Sequence, residues 1–452
     1  MLKPFHEVRD PIHVFVRFDG IERDVINSRP FQRLRHIHQL ALSYLVYPGA
    51  THRRFEHSLG VMELASRVFD VVTATGALSE DVLDLLPPDA VNDDSRRYWR
   101  RVVRMAALCH DMGHLPFSHA AEKELLPAGF THEHLTRAII TSQEMEQIWG
   151  AMTPPLRSVD VVKVALGPRE APDLHFSNWE TILAEIIVGS AFGVDRMDYL
   201  LRDSHHTGVS YGRFDHYRLI DTLRILVQPT VGGGEADGDE NAEAEPVPSL
   251  GVEEGGVQSA EALLLARYFM FSQVYLHPVR RVYDIHLKDF LAQWLPGGRF
   301  STDVEELLRM TDNEVTAAFR LAALDADAPG HDAARRILQR DHFRVLYEWN
   351  PDDVRVNPEA GCAIAEAASE KFGADWVRHD PVPPKDTSLD FPVRMRDDRV
   401  VSALALSRNI AHIPPAAVDY VFVAPTIRRR ANDWLTKKRQ EIITPKSETE
   451  NG

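Results

Sequence analysis

The residue types most able to do chemistry crowd into one stretch, Ala107-Leu108-Cys109-His110-Asp111-Met112-Gly113-His114-Leu115-Pro116-Phe117-Ser118-His119, where imidazoles and a carboxylate interrupt an otherwise apolar run. An adjacent His110-Asp111 pair offers one imidazole nitrogen and one carboxylate oxygen, a donor set that suits a divalent transition metal. Burying such groups without partners is costly, so the apolar setting argues that they have one. For His114 and His119 a satisfied core or helix-cap histidine is the plainer alternative. A metal with positions open to water or substrate needs further ligands from other elements. His57 follows a basic loop at the start of an apolar helix, and Asp195 lies among Val194, Met197 and Leu200. An ion pair with a nearby arginine would explain Asp195 equally well.

The elements that must position these residues are mostly helical. Asp10-Pro11-Ile12-His13 and the short apolar runs beside it predict a strand or hairpin, and Arg29-Pro30 opens a short helix through Phe31, Leu34 and Ile37. Ser43-Tyr44-Leu45-Val46-Tyr47-Pro48-Gly49 reads as an extended apolar piece closed by a Pro-Gly turn. Val61, Leu64, Ala65, Val68, Phe69 and Val72 recur with helical spacing, which puts His57 at a helix start. A second such helix runs from Tyr98 to Cys109 and stops near Gly113. Further helices are predicted over 133–148 and 181–203, and a strand over 223–231. The Gly-, Glu- and Asp-rich segment 232–256 predicts a flexible acidic insertion. Ser259 resembles an N-cap for a helix continuing through Tyr275 with a kink at Pro278, and Tyr420-Val421-Phe422-Val423 resembles a strand. The fold expected is mainly α, with a helical core and small β-hairpin elements over 1–290, a C-terminal helical and mixed α/β region over 291–440, and a disordered tail over 441–452.

Bulk properties narrow the function classes. At 452 residues the chain can bury a large core. A net charge of -16 disfavours strong nucleic-acid or anionic-membrane binding, so any phosphate site must be a local basic pocket. Two cysteines, Cys109 and Cys362, are too few for a disulfide framework and fit a reducing compartment. No apolar segment reads as a signal peptide or membrane span, and a cytoplasmic protein is expected.

The spacing of His57, His110-Asp111 and Asp195 resembles the HD superfamily, whose pattern is a histidine, a His-Asp pair and a distant aspartate. Longer stretches are similar to its deoxynucleoside triphosphate triphosphohydrolases: Gln39-Leu40, Tyr44-Leu45-Val46-Tyr47-Pro48-Gly49-Ala50, Arg54-Phe55-Glu56-His57-Ser58-Leu59-Gly60, the His110 stretch, Thr131-His132-Glu133, and Asp195 through Gly208. The similarity covers about Arg9 to Tyr283, without room for a separate SAM-like domain.

The resemblance implies an HD-domain core that converts a dNTP to deoxynucleoside and inorganic triphosphate. It assigns the metal to His57, His110, Asp111 and Asp195, and catalysis to His132 with Glu133 orienting its ring. His114 and His119 would approach the phosphates, and Arg54 and Arg196 would bind them. Arg196 stands where a human member of the family has lysine, so a fork replaces a point charge. Gln39, Tyr199, Asp203 and Tyr283 fall at or beside sugar-recognition positions, while Leu40 and Tyr283 would crowd the 2′ position. For the last two, ordinary core packing is the alternative. Several relatives are tetramers switched on by nucleotides, and the resemblance implies a homo-oligomer here. Arg35 is retained at that activating site, but Asn27 replaces an aspartate that recognises guanine, which puts GTP activation in doubt. The donor set does not choose among Fe, Mn, Co, Ni and Zn, and Mg is expected to accompany the triphosphate. The competing functions are another HD nucleotide phosphohydrolase or phosphodiesterase, and a non-catalytic nucleotide sensor.

Overall fold

The structure, a computed structural model, describes residues 5–88, 90, 92–118, 122–227, 247–384 and 390–444. His119 and the 232–246 part of the expected acidic insertion lie outside the described residues. Two compact units share the chain. The first takes Met1–Met270, Ser301–Asp312 and Thr387–Pro414; the second takes Phe271–Phe300, Asn313–Asp386 and Pro415–Gly452. They interleave along the sequence, whereas the expectation was a single division near residue 290.

In the first unit the long helices Arg54–Val72 and Asp93–Cys109 pack against each other, with Ser158–Glu170, Asn178–Val188 and Val194–Thr207 around them. The apolar stripe read from the sequence is the buried one: Val61, Leu64, Ala65, Val68, Phe69, Val102, Val103 and Ala106 are fully buried. Asn92 starts the second helix by accepting from the amides of Asp94 and Ser95, and Asp93 and Asp94 sit where the helix dipole favours acids. This helix ends at Cys109 with His110 as its C-cap, so the His-Asp pair emerges directly from its C-terminus.

Several boundaries differ from the sequence reading for identifiable reasons. The stretch expected as one helix over 133–148 is two, His132–Ile140 and Gln143–Ala151, because Ser142 caps a new start by accepting from Met145 N. The 181–203 helix is likewise two, Asn178–Val188 and Val194–Thr207, divided by Gly189 and Gly193. The piece around Tyr44 is a 3-10 turn over Ala41–Leu45, held by short-range bonds such as Val46 N to Ser43 O, and not extended. Residues 247–256 form no loop: Pro248–Glu253 is a strand paired antiparallel with Leu223–Val227, with Leu250 and Val252 buried. Its apolar alternation is short and flanked by Gly and Glu, so composition outweighed pattern. These two strands continue into Pro392–Arg394 and Val400–Ser402, and the predicted N-terminal hairpin is present as His6–Asp10 paired with Val14–Phe18.

The second unit is built on a three-stranded antiparallel sheet in the order Arg344–Glu348, Val418–Val423, Val377–Val382. Its core of Val282, Ile285, Phe343, Ile364, Val421 and Leu435 is supplied by the sheet and by helices Pro278–Trp294, Ala360–Phe372 and Arg428–Ile443. Pro278 does not kink a helix; it begins one, where its missing N–H costs nothing. The C-terminal helix runs to a buried Ile443, three residues into the tail expected to be disordered. Among the described residues no helix is long and apolar enough to cross a membrane.

Candidate active site

Three elements of the first unit bring the expected ligands together. His57 comes from the first turn of the Arg54–Val72 helix, His110 and Asp111 from the end of Asp93–Cys109, and Asp195 from the first turn of Val194–Thr207. His57 Nε2 lies 3.0 Å from Asp195 Oδ1 and 3.6 Å from Asp111 Oδ2. His110 Nε2 lies 3.3 Å from Asp111 Oδ1 and 3.5 Å from Asp195 Oδ1. Ligand atoms of His57, His110 and Asp195 all fall within 4.8 Å of one another.

The imidazoles are pinned for this purpose. His57 Nδ1 is bonded to Asp198 Oδ2 at 2.8 Å and His110 Nδ1 to Ala107 O at 2.8 Å, which turns both Nε2 atoms inward. His110 Nε2 is buried without a hydrogen-bond partner. Two imidazole nitrogens, one of them an orphaned acceptor, and two carboxylates fit a divalent transition metal, and the one-third exposure of the Asp195 side chain leaves an open side for water or substrate.

Electrostatics point the same way. Burial opposes charge on Asp195, yet His110 and His57 beside it hold it below the usual carboxylate range. Asp111 is held well below that range too, burial being overcome by Arg54, His110 and His114. His57 is pushed up to about 10, because bonds to Asp195 and Asp198 outweigh its burial. The crowded carboxylates call for positive charge, which a divalent cation can supply while leaving the imidazoles neutral.

Asp198 is a member of this site that the sequence reading passed over. It is fully buried and receives His13 Nε2 at 2.6 Å, His57 Nδ1 at 2.8 Å and Arg202 Nε at 2.8 Å, while Arg202 Nη1 reaches Asp10 at 2.8 Å. The signal was available: Asp198 stands one turn after Asp195, and Asp10 and His13 belong to the Asp-Pro-Ile-His run. Gly60 belongs to the same arrangement, since a Cβ there would overlap Asp198 Oδ1.

Beside the metal cluster His132 opens the His132–Ile140 helix. Its Nδ1 lies 3.2 Å from Glu133, the expected orienter, but closer, 2.7 Å, to Glu122, which also accepts from the His132 amide at 2.8 Å. Glu122 is thus a second residue that sequence reasoning missed, and only its proximity in sequence to the His110 stretch hinted at it. Burial works against a charge on His132, but Glu122 and Glu133 raise its pKa; His114, stacked on it at 3.9 Å, is lowered by burial, Arg54 and His132. Neighbouring groups driven in opposite directions are what an acid–base site requires. Gly113 lets the two segments meet, because a Cβ there would overlap the backbone of His132 and Thr136.

The other expected residues are distributed around this centre. Arg54 is buried, pairs with Asp111 and donates to Ser118 Oγ at 2.9 Å. Leu40 is buried, and the Oε1 of its neighbour Gln39 is a buried atom without a hydrogen-bond partner. Arg196 donates to the carbonyls of Gly189, at 2.9 Å, and Ser190. Burial raises the Tyr199 phenol, and Asp203 is held by His52 Nε2 at 2.7 Å. Tyr283 belongs to the second unit, where it is fully buried with its ring 4.8 Å from His342. Arg35 stacks 3.5 Å over Phe55, and both line a cavity of about 250 Å³ with Arg9, Asp10 and His206. Asn27 is exposed and is not among the lining residues.

Comparison with known proteins places the chain in a family. Residues 54–149 match the HD domain and residues 244–413 the HD associated region. An uncharacterized protein of Methanocaldococcus jannaschii is 31% identical over 377 residues, covering 81% of this chain and 67% of that protein. The deoxynucleoside triphosphate triphosphohydrolase SAMHD1 of Bos taurus is 27% identical over 376 residues, 76% of this chain but 58% of its own length. The crystal structure of a hypothetical protein from Aquifex aeolicus superposes with a TM-score of 0.74 at 31% identity, covering 95% of this chain and all of that one. The chain belongs to the HD-domain phosphohydrolase family, joining an HD domain to an HD-associated region.

Proposed function

We propose that the protein is a dNTP triphosphohydrolase, releasing deoxynucleoside and inorganic triphosphate. The observation that carries the reading is the pairing of a carboxylate-supported His132 with the His57–His110–Asp111–Asp195 cluster: a proton donor stands beside a site for a hydrolytic metal. A divalent transition metal bound there supplies a Lewis acid that lowers the pKa of water and polarises the α-phosphoryl oxygen. His132, whose pKa Glu122 and Glu133 raise against its burial, donates to the departing 5′ oxygen. Arg54 and Arg196, with the neutral His114 between metal and donor, receive the polyphosphate and its accompanying Mg. Gln39, Tyr199 and Asp203 hold the sugar, His52 fixing one oxygen of Asp203, and Leu40 excludes a 2′ hydroxyl. The Arg35 cavity is assigned to an activating nucleotide, with Asn27 outside it, and a homotetramer is the assembly.

Incubation with each of four dNTPs and with Fe, Mn, Co, Ni or Zn, with and without a second nucleotide, tests the reading. Inorganic triphosphate and deoxynucleoside are the expected products. Orthophosphate, pyrophosphate or a monophosphate would move the enzyme to another HD phosphohydrolase class, and no turnover with metal bound would favour a nucleotide sensor.

A further inference from the structure

Two segments that the hydrolytic reading assigns to different parts of the substrate are gripped by one carboxylate, 274 and 195 residues away from them in sequence. Asp312, 1% exposed, closes the Ser301–Asp312 return of the chain to the first unit and lies within the HD-associated region. Its Oδ2 accepts from the His38 amide at 2.7 Å and from His38 Nδ1 at 2.6 Å, and its Oδ1 accepts from the Phe117 amide at 2.7 Å. A carboxylate offers only acceptors, so the ring proton of His38 sits on Nδ1. The His38 and Phe117 rings stack, with centroids 6.0 Å apart and planes within 4°.

The bonds close into a ring. Ser118, next to Phe117, donates from Oγ to His38 O at 3.0 Å and receives Arg54 Nε at 2.9 Å. His38 is thus tied at its amide, its imidazole and its carbonyl, and the chain passes directly from it to Gln39 and Leu40. Phe117 and Ser118 are both non-glycine residues in the left-handed region, each at φ 58°. Such a pair is costly and holds only where its surroundings over-determine it. Asp312 supplies the bond at Phe117, and a neighbouring tie works with it: Arg33, 4% exposed, donates to Met310 O and to His114 O, both at 2.9 Å. The turn that follows His114 and the segment that leads to Gln39 therefore share one anchor.

We propose that Asp312 is a positioning residue for the hydrolytic site, fixing Arg54 and Gln39 relative to one another through the ring it closes with His38, Phe117 and Ser118. The proposal rests on the reading of Arg54 as a polyphosphate contact and Gln39 as a sugar contact. The bonds of Asp312 reach none of the four candidate metal ligands, so its effect is separable from metal binding.

The test compares the metal-loaded full chain with D312N, in which an NH2 group must face a donor of His38 or Phe117. The value of kcat/KM is expected to fall about 10–100-fold, most of it as a raised KM, because the displaced groups bind substrate rather than react. Affinity for inorganic tripolyphosphate, read by calorimetry, should weaken about tenfold through Arg54, while metal affinity in chelator competition stays within about twofold. S118A breaks the same ring at the Arg54 end, so D312N and S118A together should lose much less than the product of their separate losses. H38A should resemble D312N, and H38N, whose side-chain N–H stands where Nδ1 does, should recover most of the loss; a merely structural role would not follow the donor atom. Should D312N not fold, the comparison of H38A with H38N decides by the same criterion. Unchanged kcat/KM in D312N, losses that multiply independently with S118A, or H38N no better than H38A overturns the proposal. Absence of turnover in the wild type counts against the hydrolase reading instead, and tripolyphosphate then decides: equal affinity in wild type and D312N, or none in either, removes the positioning role as well.

Discussion

Replacing Asp198 by asparagine probes the least obvious part of the site. The side chain keeps its shape but loses the charge that meets His13 at 2.6 Å, His57 at 2.8 Å and Arg202 at 2.8 Å, and its new NH2 group must face at least one donor. Removing one member of a buried ion pair costs about 3–5 kcal/mol. Arg202 retains Asp10, so the lower end, about 3 kcal/mol, is expected. That is a large share of the roughly 5–15 kcal/mol that holds a domain folded. A second effect is separable from the first: His57 loses the partner that orients its Nε2, and losses of about 10–100-fold in metal affinity follow from such changes. Denaturant unfolding of the metal-stripped protein reads the first, and competition with a chelator reads the second. Asp94→Asn, at an exposed pair with Arg97, serves as a control expected to change stability by less than about 1 kcal/mol. If D198N matched the wild type in unfolding free energy and metal affinity, the claim that this carboxylate organises the site would be wrong.

Four further outcomes are expected. In E122Q, His132 loses its nearest carboxylate and its pKa falls, so the alkaline limb of the pH–rate profile moves to lower pH; an unmoved limb would assign the proton donor elsewhere. Glu185 is pushed up to about 7 by burial, only partly offset by the Leu250 amide at 3.0 Å. A carboxyl whose folded pKa exceeds its unfolded value costs stability as pH rises from the unfolded to the folded pKa, so Glu185→Gln should stabilise by up to about 3 kcal/mol at pH 8 and by little at pH 4, read from unfolding curves at both. Gly113→Ala should cost at least about 1–3 kcal/mol, as overpacking does, and lower turnover because the His132 helix must retreat; a variant with normal turnover would refute the close approach. Chelation should abolish hydrolysis and lower thermal stability, with metal at about a hundred times its Kd restoring roughly 2.7 kcal/mol.

Much of the first unit was legible because its helices are long and one-sided. The Val61–Val72 stripe and the Val102–Cys109 stripe are periodic over several turns, and both are the faces buried. Short elements were misread where one local signal masked another. Ser142 restarts a helix inside an unbroken helical pattern, and Pro248–Glu253 hides its alternation between Gly- and Glu-rich flanks. The residues that cluster as candidate metal ligands were legible as types and spacings. Asp198 and Glu122 were not, because their importance lies in what they touch: an Asp in a helix and a Glu after a loop are ordinary until His57 and His132 are seen leaning on them. Tyr283 illustrates the converse, a residue placed by resemblance whose surroundings in its own unit are His342 and the core.

The helix Val194–Thr207 presents Asp195, Asp198, Arg202 and Asp203 at steps of three, four and one residues, so one rigid rod aims the proposed ligand, its support and the proposed sugar contact. Such a rod has no play: inserting a single residue after Met197 would swing everything downstream by roughly 100° and detach the later three from the first together. Damage anywhere along it is therefore shared rather than local. The loss of metal, fold and substrate in one stroke would be the signature of a displaced axle, whereas selective loss of any one of them points to the spoke concerned.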